Sequence, residues 1–235
     1  MVSINKWVLL SGLCAAFSLL MISCTKKTGS DMEEFSNGKR MLALGDSYTI
    51  GEGVPQQAQF AQQAVTQLAS QNIIFNKPKV IATTGWTTAD LLRALAAEKP
   101  ANNYDFVTLL IGVNNQFRNL NITTYRQEFT SLLTKAIAHA GGRPGRVAVL
   151  SIPDYSVTPF AANLDTIKIE REINEYNAIN RSIAQAQGVI YIDITPISRE
   201  ARNNGSLTAS DGLHPSELQY SRWATLLAAK IKEAL

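Results

Sequence analysis

The feature that most constrains this chain is an alternation of short apolar runs with longer stretches of helical periodicity. Apolar runs fall at 41–44, 80–82, 106–111, 147–152 and 189–192. The third and fourth are almost continuously apolar, the pattern of parallel strands covered on both faces. Between them lie amphipathic stretches. Over 121–140, Ile122, Tyr125, Phe129, Leu132, Leu133, Ala136 and Ile137 share one stripe at steps of three and four. Over 165–187, Ile169, Ile173, Tyr176, Ile179 and Ile183 do the same, with Glu170, Arg171, Glu172, Glu175 and Arg181 left for water. Gly141-Gly142 and Gly188 mark where these helices stop. Strand alternating with helix predicts a five-stranded parallel sheet with helices on both faces. We read one α/β domain over 39–235, with no internal repeat. In such sheets ligands bind beyond the carboxyl ends of the strands, so the loops after Leu44, Ala82, Ile111 and Ile192 are the ones to inspect.

The first 23 residues differ in kind. Lys6 is their only charged side chain, and 7–22 is almost unbroken apolar sequence. A positive start and a short apolar core read as a secretory signal, since a membrane-spanning helix needs about 20 apolar residues. Leu20-Met21-Ile22-Ser23-Cys24 resembles the lipobox of bacterial lipoproteins, which implies cleavage before Cys24 and acylation of its thiol, for example by palmitate. Both cysteines of the chain, Cys14 and Cys24, would then be accounted for, leaving a domain with neither thiol nor disulfide. Residues 24–38 are polar and turn-rich, a tether holding the domain off the membrane. Thr25, rather than an aspartate, follows the cysteine. The expected location is the bacterial cell envelope, on the outer membrane or periplasmic side. The net charge of +3 is dispersed, so no basic stripe offers a nucleic acid a footing.

Four stretches carry chemistry. Gly45-Asp46-Ser47-Tyr48 follows the first strand, where a serine on a tight turn presents its hydroxyl at the sheet edge. Alone it reads equally as a helix cap. Near the other end stands Asp211-Gly212-Leu213-His214-Pro215-Ser216. A serine nucleophile needs a base, and the base needs an acceptor on its other ring nitrogen. Asp211, three residues before His214 in a glycine-containing turn, is placed to be that acceptor. Pro215 keeps His214 on the loop, and Ser216 with Gln219 resembles a capping box opening the last helix. The only other histidine, His139, ends a helix with no acid beside it and reads as structural. Acyl transfer also needs donors for the developing oxyanion. Gly85, in Thr83-Thr84-Gly85-Trp86-Thr87, lets a carbonyl approach its N–H, with Thr87 and Asp90 capping the helix beyond. Asn114, in Gly112-Val113-Asn114-Asn115, offers a side-chain amide. Each would be an ordinary turn residue without Ser47 and His214.

In this order the four loops resemble those of the SGNH or GDSL hydrolases, and the resemblance runs from Arg40 to the final helix. It implies a flavodoxin-like three-layer α/β/α fold and hydrolysis of esters or thioesters without metal or other cofactor. It also implies a catalytic triad of Ser47, His214 and Asp211, with an oxyanion hole from Ser47 N–H, Gly85 N–H and the Asn114 amide. One departure is visible: the third block usually reads Gly-x-Asn-Asp, and here Asn115 replaces the aspartate, which leaves open how its loop is braced. No Gly-x-Ser-x-Gly elbow is present, which argues against the α/β-hydrolase fold. The expected substrates are short-chain or lysophospholipid-type acyl esters. The alternatives are a carbohydrate O-deacetylase of the same fold, acting on a glycan ester, and a non-catalytic surface lipoprotein. Pocket walls are expected from 55–60, 116–120 and 154–164.

Overall fold

The computed structural model describes residues 38–235. The signal segment, Cys24 and the tether up to residue 37 lie outside the described residues. Five parallel strands form one sheet: β1 (Met41–Gly45), β2 (Lys79–Ala82), β3 (Phe106–Leu110), β4 (Val147–Leu150) and β5 (Ile190–Ile192). Their spatial order is β2-β1-β3-β4-β5, the flavodoxin-like arrangement, so the chain reverses direction across the sheet between β1 and β3. β1, β3 and β4 are buried at every residue, as their apolar runs require.

All five runs are strands, but the fourth ends sooner than its hydrophobicity predicts. The strand ends at Leu150: Ser151 N–H still reaches Ile192 O of β5 (2.9 Å), but Ile152 leaves the ladder, although both are fully buried. Asn177 explains the change, because its side chain accepts from Ile152 N–H (2.7 Å) and donates to Ile152 O (2.9 Å), replacing strand partners with an amide. The periodic stretches are α5 (Ile122–His139) and α6 (Thr166–Ala186). Asn121 and Asp165 are their N-caps, which is why each helix begins one residue after the polar residue.

Further helices are α1 (Ser47–Ile50), α2 (Phe60–Ala69), α3 (Thr88–Glu98), α4 (Val113–Phe117), α7 (Thr195–Arg199) and α8 (Glu217–Ala234). α2 packs on α8, while α5 packs between α3 and α6, giving the two outer layers. Phe60, Tyr220 and Trp223 are fully buried where α2 meets α8. Thr87 and Asp90 form a complete capping box on α3. At α8 only half of the expected box exists. Ser216 accepts from Gln219 N–H, but the Gln219 side chain donates to Leu207 O instead of turning back to the cap. It ties the helix to the loop that carries His214.

Candidate active site

Asp46 follows β1 and caps α1, its Oδ1 accepting the Tyr48 amide at 3.1 Å. Ser47 is therefore the first residue of a one-turn helix at the carboxyl end of β1, beside the point where strand order reverses. Asp46 is fully buried, and burial pushes its carboxyl up to about 7 against the opposing pull of the Tyr48 amide.

His214 arrives from the far end of the chain on a tightly knit loop. Ala209 N–H donates to His214 O (2.7 Å), Ser216 N–H to Leu207 O (2.9 Å), and Phe160 N–H to Gly212 O (2.9 Å). Asp211 works twice inside this loop. Its Oδ1 accepts the backbone N–H groups of Leu213 and His214, both at 2.9 Å, and its Oδ2 meets His214 Nδ1 at 2.7 Å. Partial burial opposes the Asp211 charge, but the Leu213 amide, the His214 ring and the His214 amide outweigh it and hold the carboxyl below its usual range. With Nδ1 engaged by a carboxylate, the other ring nitrogen is free to accept a proton.

Ser47 and His214 line one small cleft of about 100 Å³. They are only 5% and 8% exposed, so a charge on either would be poorly screened by water. The Tyr48 ring stands edge-on to His214 with centroids 5.6 Å apart. Asn114 also lines the cleft. One N–H of its amide donates to Trp86 O at 3.0 Å, leaving the second N–H available. Gly85 adopts φ +78°, a conformation costly for other residues, and Arg118 donates to its carbonyl at 2.7 Å. Gly85 itself is not among the residues lining the cleft, although Trp86, its neighbour, is tied to Asn114.

His139 is placed away from all of this. Its Nδ1 contacts Ala101 O and Asn102 Oδ1 just before β3, at the opposite end of the sheet, and burial lowers its pKa. Among the described residues no group of three or more His, Cys, Asp or Glu side chains could hold a metal ion.

The rest of the cleft is apolar: Tyr48, Val113, Phe117, Tyr155, Phe160 and Leu213. Phe117, Tyr155 and Phe160 contact one another with centroids 6.1–6.4 Å apart. Two of the three expected wall segments contribute. The third, 55–60, does not: Phe60 is fully buried against Tyr220 and Trp223 beneath the site. Gly53 is a residue that sequence reasoning missed. It has φ +82°, and a Cβ there would stand 3.0 Å from both Asp211 Oδ2 and Ala209 Cβ. A side chain at 53 would press on the oxygen that receives the His214 ring. Nothing in the local sequence signals this, because Asp211 lies more than 150 positions away.

The fold and the chemistry of this cleft define a class, an α/β/α hydrolase acting on ester bonds. Within that class the chain belongs to the GDSL-like lipase/acylhydrolase family, whose sequence profile matches residues 43–222. The fold is similar to that of TesA, at 20% identity and TM-score 0.60, over 84% of this chain and 100% of that one. It is similar to Axe2, an acetylxylan esterase from Geobacillus stearothermophilus, at 18% identity and TM-score 0.60, over 83% and 94%. A lipase/acylhydrolase from Enterococcus faecalis is 21% identical, with TM-score 0.60, over 83% and 96%. In sequence, no curated protein matches the chain.

Proposed function

We propose that this protein is a serine esterase for short acyl groups, with Ser47 as nucleophile, His214 as general base and Asp211 as its orienting acid. The observation that carries the reading is the 2.7 Å contact of His214 Nδ1 with Asp211 Oδ2, on a ring that shares its cleft with Ser47. His214 takes the Ser47 proton as the oxygen attacks the ester carbonyl, then returns it to the leaving alcohol. The resulting acyl-serine is released by water through the same two transfers. Ser47 N–H, Gly85 N–H and the free N–H of Asn114 receive the oxyanion. No metal or cofactor has a part in this scheme.

The acyl preference follows from the cleft. The cleft is small, about 100 Å³, and is walled by the Phe117, Tyr155 and Phe160 rings, which suits an acetyl or propionyl group better than an octanoyl chain. The expected result is a kcat/KM for nitrophenyl acetate at least about tenfold above that for the octanoate, the scale of one or two lost apolar contacts. Equal turnover of the two would defeat the short-acyl assignment. Two proteins of similar fold are acetylxylan esterases, so acetylated xylo-oligosaccharides belong in the same panel, beside lysophospholipids.

The reading includes the anchor. A lipid on Cys24 would hold the enzyme at a membrane of the cell envelope, with the polar segment up to Gly38 as spacer. Mass spectrometry of the mature N-terminus should find an acylated Cys24, and a mature chain retaining residues before Cys24 would disprove it.

A further inference from the structure

Hydrogen bonds join the loops beyond β2 and β3, three of them made by Asn114 and Asn115. Asn114 Nδ2 donates to Trp86 O (3.0 Å), Thr88 N–H donates to Asn115 Oδ1 (3.0 Å), and Asn115 Nδ2 donates to Thr88 Oγ1 (2.7 Å). The Thr88 hydroxyl then donates to Glu128 Oε2 on α5. Thr88 and Asn115 are 0% and 1% exposed, so water cannot substitute for a missing partner. The direction of each bond is forced. A backbone N–H can only donate, so Asn115 Oδ1 faces Thr88 N. The amide nitrogen therefore faces Thr88 Oγ1, and the single hydroxyl proton is left for Glu128.

We propose that Asn115 and Glu128 are a matched pair of positioning residues, which act through the Thr88 hydroxyl to hold the Gly85 and Asn114 donors in register. The proposal rests on the esterase reading of the cleft. It also accounts for the amide at 115 where the related motif has a carboxylate. A carboxylate here would face Thr88 Oγ1 with no proton to receive, because Glu128 already has it. Either the introduced carboxylate or Glu128 would go unpaired, and the two would repel across one hydroxyl. Three other charged groups on the adjoining segments are engaged elsewhere. Asp90 is held by Thr87 and Arg93, Arg118 donates to Gly85 O, and Glu172 of α6 accepts from Gln116.

The test uses the full chain and nitrophenyl acetate. Asn115→Asp should lower kcat by about ten- to a hundredfold at pH 8, since misplacing catalytic donors by a fraction of an ångström costs on that order. KM should change little, because the displaced donors act on the transition state. The ratio of variant to wild-type kcat should climb as pH falls from 8 to 5, because a buried carboxyl takes up a proton readily and can then donate to Thr88 Oγ1. Glu128→Gln alone should stay within about threefold of wild type, its amide oxygen still accepting from Thr88 while the charge is gone. Combined with Asn115→Asp, Glu128→Gln should restore most of the lost kcat, since the Thr88 proton is then free to turn to position 115. A flat pH ratio, or a double variant as slow as Asn115→Asp, overturns the proposal. If Asn115→Asp does not fold, the double variant decides: folded and active supports the pairing, unfolded refutes it. A wild-type chain without turnover would remove the esterase reading and this proposal together, whereas an active wild type matched by Asn115→Asp would remove this proposal alone.

Discussion

Ser47→Ala should reduce kcat on nitrophenyl acetate by about 10⁶-fold and abolish labelling by a fluorophosphonate, the scale on which serine hydrolases lose turnover with their nucleophile. The substitution deletes one oxygen in a nearly buried position and leaves the backbone of α1 intact. Thermal stability should therefore hold to within about 1 kcal/mol, the usual range for a small polar deletion. In the proposed scheme the Ser47 N–H survives the change and, with Asn114, would still receive an oxyanion, so a residue of catalysis above the water rate is expected. A variant that kept its turnover, or that was still labelled at the same site, would show that the hydroxyl at 47 is not the attacking group.

Asp211→Asn should be the next most damaging single change, lowering kcat by about 10⁴-fold near neutral pH through the wrong histidine tautomer. The geometry explains why an isosteric amide fails. Asp211 Oδ1 receives two backbone N–H groups, from Leu213 and His214, and Oδ2 receives the His214 ring. An amide can satisfy the two backbone donors only with its oxygen, which turns its NH₂ toward His214 Nδ1. That nitrogen must then accept, its proton moves to Nε2, and the ring loses the lone pair that would take the Ser47 proton. The loop itself should keep its shape, because both backbone bonds survive. The measurement is kcat against pH, with the histidine ring protons followed by NMR. An Asp211→Asn enzyme within tenfold of wild type, or one whose ring keeps its proton on Nδ1, would contradict the assigned role.

How much of this is visible in the primary structure varies with the range of the interactions involved. The strands and the two long helices come from periodicities local to each segment, and capping residues such as Asn121 and Asp165 mark their starts. The Asp211–His214 pair is legible for the same reason, since three residues in a tight turn limit where both side chains can point. The early end of β4 is not legible, because it depends on Asn177, which lies on α6. Nor is the role of Gln219, which looks like half of a capping box and instead spans to Leu207.

The order of apolar runs, the turn residues and the helical stripes were enough to determine a parallel α/β sheet and to identify Ser47, Asp211 and His214 as the residues to watch. Each of those features rests on contacts within a few positions, or on a pattern repeated along one element. Only the tertiary structure decided that Gly53 lies against Asp211, that Phe60 is buried beneath the cleft instead of lining it, and that Asn115 shares a hydroxyl with Glu128. These are meetings between distant segments. Their geometry is set by how whole layers pack, and no local pattern of residues encodes it.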